Sequence, residues 1–408
     1  MFSRPSRASA PRDSVLGERG FFLTGLDGAT ISAVNDIIRQ HVGNQATVSQ
    51  VRRWGGGALN ECYRVTAQNP PGEYFLKVEK LARGGGVVAA SGGVGVKGGL
   101  PGSGRADAWA GLPFIPTTRR GQIEREVEGV RLASAAGIPT APVVGYDLTG
   151  QLIGRKYILQ EFVDAELLFI IDEYIEDRED EEIRSQLADI MKKMEAIHGP
   201  GFGDLCVGGA IGRHPTWRGA YDSMRRILLH DLEALDVLPQ ADLKVISDAL
   251  EWGSEQIGSA QTARKCPETG KTVSQHLVPG ETQSERADPE QARADVPPSF
   301  VHTDLGKHNV LVERSGGAAR IRALVDFGNS MYAPYYIEEF LIREFGGWRI
   351  GPADIPSVYG ITPQEFTAAQ LLFGLELGVF AFALNPYLGK LDEQYMKEFV
   401  GRYRAVLG

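Results

Sequence analysis

"FVHTDLGKHNVLV", residues 300–312, sets His302, Asp304 and Asn309 at fixed spacing inside an otherwise apolar stretch. An uninterrupted strand would be easier to bury, so the polar residues read as a strand that stops, makes a loop carrying chemistry and resumes. Downstream, "RSGGAA" (314–319) is a turn signal and "IRALVDF" a further strand. A hairpin through that turn brings Asn309, at the start of one strand, and Asp326, at the end of its partner, to the same edge. Two aspartates and an asparagine gathered there supply a base and hard oxygen ligands, a set that suits Mg²⁺ together with phosphate oxygens.

Working outward, residues 47–80 alternate in short β-rich runs, "ATVSQVRRW", "NECYRVTA" and "EYFLKVEK", the last carrying Lys77. The spacing predicts a helix over 121–136, "GQIEREVEGVRLASAA", which carries Glu126 and ends at Gly137 and Pro139. Two more strands are expected at 142–146 and 156–163. The turn "WGGGALN" between the first two strands offers Gly55, Gly56 and Gly57 for close backbone approach to phosphates, and Asn60 as a side-chain donor. A glycine-rich hairpin turn alone would be an ordinary β-turn. From about 165 helices dominate; "EEIRSQLADIMKKMEAIHG" puts Ile183, Leu187, Ile190, Met194 and Ile197 on one stripe.

The order Lys77, Glu126, His302-x-Asp304-x₄-Asn309 and Asp326-Phe-Gly resembles the protein-kinase-like superfamily. "GGGALNECYRV", "FLKVE", "REVEGVRLASAAGIPTAPVV", "ILQEFV", "MEAIHGPGFGDL", "HTDLGKHNVLV" and "LVDFGNS" together resemble the aminoglycoside phosphotransferase family of small-molecule kinases. The set covers about 51–340 in the family order. From Asp326 to "APYYIEEF" is only seven residues, too few for the activation loop of a protein kinase.

The resemblance implies an α+β, bilobal protein-kinase-like fold with a β-rich N-lobe and a mainly helical C-lobe. It implies transfer of the γ-phosphoryl group of ATP (or GTP), assisted by Mg²⁺, to a hydroxyl. Asp304 becomes the base, Asn309 and Asp326 the metal ligands. Lys77 contacts phosphates and pairs with Glu126, and Glu161, Phe162 and Val163 line the base as the hinge. His302 is then structural. The acceptor is left open between an aminoglycoside and a metabolite of the choline, homoserine or fructosamine kind. A non-catalytic nucleotide-binding module is the reading of a different class. Two departures stand out: Thr303 and His308 occupy positions where many relatives have glycine, and Glu338 or Glu339 stands where relatives often have an aspartate.

Composition sets the frame. A 408-residue chain with 43% hydrophobic and 23% charged residues has room for two lobes. A formal net charge of -9 argues against nucleic acid as partner and is compatible with a cationic acceptor. The acidic run "YIEDREDEEIR" (174–184) could attract such an acceptor, although acidic residues also favour a helix N-terminus. Three scattered cysteines make neither a zinc site nor a disulfide framework, which fits a reducing, cytoplasmic location. No membrane partner is expected: "LLFGLELGVFAFAL" (371–384) is short, carries Glu376 and reads as a core helix.

The expected organisation is a disordered tail at 1–20, an N-lobe at 21–163 and a helical C-lobe at 164–408. A mitochondrial presequence is the competing reading of the arginine-bearing start. The N-lobe contains a glycine-rich insertion at 83–118, and the C-lobe a polar one at 258–298. Both are too poor in apolar side chains to offset the entropy of ordering them.

Overall fold

The computed structural model describes residues 28–54, 59–80, 116–205, 211–257, 296–348, 352, 354–388 and 393–408. The expected tail at 1–20, Gly55, Gly56, Gly57 and nearly all of both insertions lie outside the described residues.

The first lobe runs α1 (Gly28–His41), β1 (Thr47–Arg53), β2 (Asn60–Gln68), β3 (Gly72–Glu79), α2 (Gln122–Ala135), β4 (Val143–Asp147) and β5 (Tyr157–Glu161). Its strands form one antiparallel sheet in the order β1-β2-β3-β5-β4. Strand period sorts the side chains to two faces. Val65, Leu76, Val78, Tyr157 and Leu159 are buried against Val34, Ile37 and Ile38 of α1. The opposite face carries Cys62, Lys77 and Ile158 side by side in register. Helix α1 was not anticipated from the sequence, and it is what seals one face of the sheet. Complete burial of Ile37 or Leu76 is worth roughly 1.5–3 kcal/mol each.

The second lobe continues through β6 (Glu166–Leu167), α3 (Leu168–Ile171), α4 (Asp177–Glu195), β7 (Gly203–Asp204), α5 (Trp217–Leu235) and α6 (Gln240–Gln256). It ends with β8 (Ser299–Val301), β9 (Val310–Ser315), β10 (Ala318–Leu324), β11 (Met331–Ala333), α7 (Tyr336–Glu344), α8 (Ile355–Tyr359), α9 (Pro363–Leu388) and α10 (Glu393–Arg404).

The strand that stops at Val301 does not resume in its own sheet. β8 pairs with β11 in the set β7-β11-β8, whereas β9 belongs to β10-β9-β6. The catalytic-type loop therefore bridges two small sheets. β9 and β10 form the expected hairpin, closed by Gly316 and Gly317 at φ 62 and 78, a two-residue turn only glycine-like residues adopt readily. β10 ends at Leu324, two residues before Asp326, and Val325 extends the pairing by donating to the Asn309 carbonyl at 3.1 Å.

The α4 stripe packs into the core at Ile183, Leu187, Ile190 and Met194, while Ile197 lies past the helix end and is only partly buried. Much of the acidic run serves this helix and its neighbours. Glu179 is buried, accepts the Glu176 N–H and pairs with Arg314, and Glu182 accepts the Ala319 N–H. Thr117, counted with the glycine-rich insertion from sequence, bonds Asp231 of α5 through both its backbone N–H and its hydroxyl. Helix α9 exceeds the run read from sequence. Its Pro363–Leu384 portion is long and apolar enough by composition to cross a membrane, yet 56% of that window is buried, with Leu372, Leu375 and Val379 at its heart.

Candidate active site

The loop from His302 to Asn309 is built by backbone hydrogen bonds. The His302 ring is fully buried, and its Nδ1 accepts the Asp304 N–H at 3.3 Å. That leaves Nε2 to carry the proton and donate to the Val325 carbonyl at 3.1 Å. Burial pushes this imidazole below its ordinary range, so it stays neutral and keeps that tautomer. Thr303 sits in the left-handed region at φ 64, and its hydroxyl holds the strained position by donating to the Asn329 carbonyl at 2.9 Å. The Asn309 amide donates to the Asp304 carbonyl at 2.7 Å. Asp304 is thereby fixed through its backbone while its side chain remains 38% exposed.

The structure decides between the two glutamates left open by sequence. Glu338, on the first turn of α7, is completely buried and accepts the Thr303 N–H at 2.9 Å. Burial pushes its carboxyl up to about 7, against the pull of the Thr303 and His302 N–H groups. Glu339 is turned elsewhere, toward Tyr359 and Glu195.

Three segments far apart in sequence meet at Lys77. Its Nζ lies 3.0 Å from Glu126 Oε2 and 2.9 Å from Asp326 Oδ1. Burial alone would push the ammonium down; Asp326 and Glu126 outweigh it and hold Lys77 charged. Gly129 makes the meeting possible, because a Cβ there would stand 2.7 Å from Phe327 Cβ and force α2 off the turn that follows Asp326. Asp326 itself adopts φ 66, which swings its carboxylate out of the strand line and leaves it 44% exposed.

Asn60, expected to donate to phosphate, has its amide on Gln122 Oε1 at 3.0 Å, and Gln122 in turn donates to Asn329 Oδ1 at 2.9 Å. This chain ties the end of the glycine turn to α2 and to the loop after Asp326. Sequence reading missed Gln122 and Asn329. At the hinge, Glu161 pairs with Tyr74 and is exposed on the face away from Lys77. Phe162 donates its N–H to the Glu73 carbonyl at 3.0 Å, and Arg64 Cζ covers its ring at 4.0 Å. The Glu161 side chain thus faces away from Lys77, and the Phe162 ring is held between Arg64 and Trp54.

Asn309 and Asp326 flank the loop with the oxygen chemistry a magnesium–phosphate group takes, and Mg²⁺ commonly uses just one or two protein ligands. No cluster of three or more His, Cys, Asp or Glu occurs among the described residues, and a metal on Asn309 and Asp326 would take its remaining ligands from phosphates and water.

The sequence profile of the phosphotransferase enzyme family matches residues 50–340. The chain belongs to this family. It is a small-molecule phosphotransferase, a kinase whose acceptor is a hydroxyl group. Solved structures of low identity share the fold. A thermostable variant of aminoglycoside phosphotransferase APH(4)-Ia, in ternary complex with AMP-PNP and hygromycin B, is 15% identical at a TM-score of 0.53, covering 92% of this chain and 98% of that one. Another APH(4)-Ia structure is 16% identical at 0.50, covering 92% and 98%. A candidate fructosamine-3-kinase from Haemophilus somnus 129PT is 10% identical at 0.50, covering 92% and 97%. No curated protein matches in sequence.

Proposed function

We propose that this family member transfers the γ-phosphoryl group of ATP or GTP to a hydroxyl of an aminoglycoside-like or metabolite acceptor. The observation that carries the reading is the convergence of Lys77, Glu126 and Asp326 beside the loop that presents Asp304.

In this reading Asp304 orients the acceptor hydroxyl and takes its proton as the oxygen attacks the γ-phosphorus. The bond from that phosphorus to the bridging oxygen breaks, and the nucleoside diphosphate leaves. Lys77, kept charged by its two carboxylates, neutralises phosphate charge without reorganisation during the reaction. Asn309 and Asp326 would hold Mg²⁺, which would supply charge neutralisation on the phosphate oxygens. The hinge backbone of Glu161 and Val163 orients the base. His302, Thr303 and Glu338 act through the loop backbone and touch no reactant.

Structures that share the fold include complexes with hygromycin B and a candidate fructosamine-3-kinase, which supports an acceptor rich in hydroxyl and amino groups. The test is nucleoside diphosphate release across a panel of aminoglycosides, amino sugars, choline and homoserine. Asp304→Asn should lower turnover about 10²- to 10⁴-fold on any active acceptor. An acceptor phosphorylated equally well by that variant would refute the assignment.

A further inference from the structure

His308 interrupts the loop with a side chain where many relatives carry glycine. Its Nε2 lies 3.2 Å from Asp304 Oδ1. A carboxylate only accepts, so the imidazole must be the donor in this contact. The ring reaches Asp304 by folding over Gly306. A Cβ on residue 306 would stand 2.4 Å from His308 Cε1 and 2.6 Å from Nδ1. Gly306 itself has φ -89 and ψ 168, ordinary extended backbone open to any residue. A glycine at 306 is therefore required by the imidazole and not by the chain path. The neighbouring Lys307 is directed elsewhere, to Asp172 and over the Trp348 ring, so it does not compete for Asp304.

We propose that His308 is a positioning residue for the catalytic aspartate: it holds Asp304 Oδ1 so that the second carboxylate oxygen is presented to the acceptor hydroxyl. This rests on the kinase reading above. The His302, Asn309 and Gly306 bonds to Asp304 fix only its main chain, and among the described contacts His308 is the side chain that restrains its χ angles. The carboxylate is otherwise exposed enough to rotate. Small misplacements of a reacting group carry large rate costs, on the order of 10²-fold per ångström.

The geometry separates the possible substitutions sharply. A glutamine amide nitrogen reaches about as far from the backbone as histidine Nε2, whereas asparagine reaches only the Nδ1 position. We would measure ADP release from Mg·ATP, with water and with each panel hydroxyl as acceptor, and the dissociation constant of Mg·ATP. The proteins are wild type, His308→Ala, His308→Asn, His308→Gln, Gly306→Ala and Asp304→Asn. The proposal expects kcat to fall at least ~10-fold in His308→Ala, His308→Asn and Gly306→Ala, with Mg·ATP affinity unchanged and most of the rate restored in His308→Gln. Wild-type kcat in His308→Ala, or a His308→Gln protein as slow as His308→Ala, overturns it. Asp304→Asn distinguishes the levels. If it is inactive while His308→Ala is normal, only the positioning role fails. If it turns over like wild type, the catalytic assignment fails and this proposal with it.

Discussion

The Lys77 centre and the 302–309 loop are neighbours built on opposite plans. The centre draws single side chains from β3, α2 and the turn after β10, and holds them by charge: Lys77 and Glu126 expose 7% and 1% of their side chains. The loop draws on contiguous residues and holds them by backbone hydrogen bonds, with Glu338 as its one fully buried carboxylate partner. Interior charge pairs fail badly when one member is removed, because the survivor stays buried. Backbone bonds to a local loop fail by smaller steps. The comparison implies that damage at the centre appears as lost stability, and damage in the loop appears mainly as lost rate.

The largest stability effect should come from Glu126→Ala. Lys77 retains Asp326, so the expected loss lies at the lower end for a broken buried pair, about 3 kcal/mol by urea unfolding. A loss below 1 kcal/mol would erase the distinction between the two regions.

Glu338 sharpens it through pH. The unfolded chain releases this proton near 4.5, the folded protein only near 7, so the fold binds the extra proton between those values. Stability from this group therefore falls as pH rises from about 4.5 to about 7, by up to roughly 3 kcal/mol in all. Glu338→Gln cannot ionise, so the variant should gain on wild type across that window in paired melts at pH 5 and 8. Glu339, also pushed up to about 7, titrates in both proteins and cancels in the difference. A constant difference between the two melts would contradict the burial argument.

The smallest effect belongs to Thr303→Gly. Glycine relieves the left-handed strain, worth about 1–2 kcal/mol, but forfeits the bond to the Asn329 carbonyl, worth about 1 kcal/mol. The melting point should move by only a few degrees, and a drop beyond that would show the hydroxyl to be the dominant restraint.

The same contrast explains what the sequence made readable. The loop announces itself because its residues are close in the chain, and the hairpin because Gly316 and Gly317 fit one turn type. Lys77 and Glu126 were legible only through the order of motifs, since an isolated buried ion pair leaves no local pattern. Asn60, Gln122 and Asn329 bond across separations of 62 and 207 residues and carry no spacing signal at all. Glu338 and Glu339 differ only in helix phase, which becomes decisive when α7 is docked against Thr303. Helix α1 lacks an acidic first turn, one of the usual signals of a helix start. β8, with three residues, is too short to reveal by alternation that it pairs with β11.

The most direct test of the central claim is thermal stabilisation by ATP with and without Mg²⁺, on wild type and Asp326→Ala. Ligand at about 100 times its dissociation constant adds roughly 2.7 kcal/mol, enough to raise the melting point by a few degrees. A magnesium-dependent rise in wild type that is lost in Asp326→Ala is the predicted result. An equal rise in both proteins, or none in wild type at millimolar nucleotide, would contradict a phosphate site built around Lys77 and Asp326.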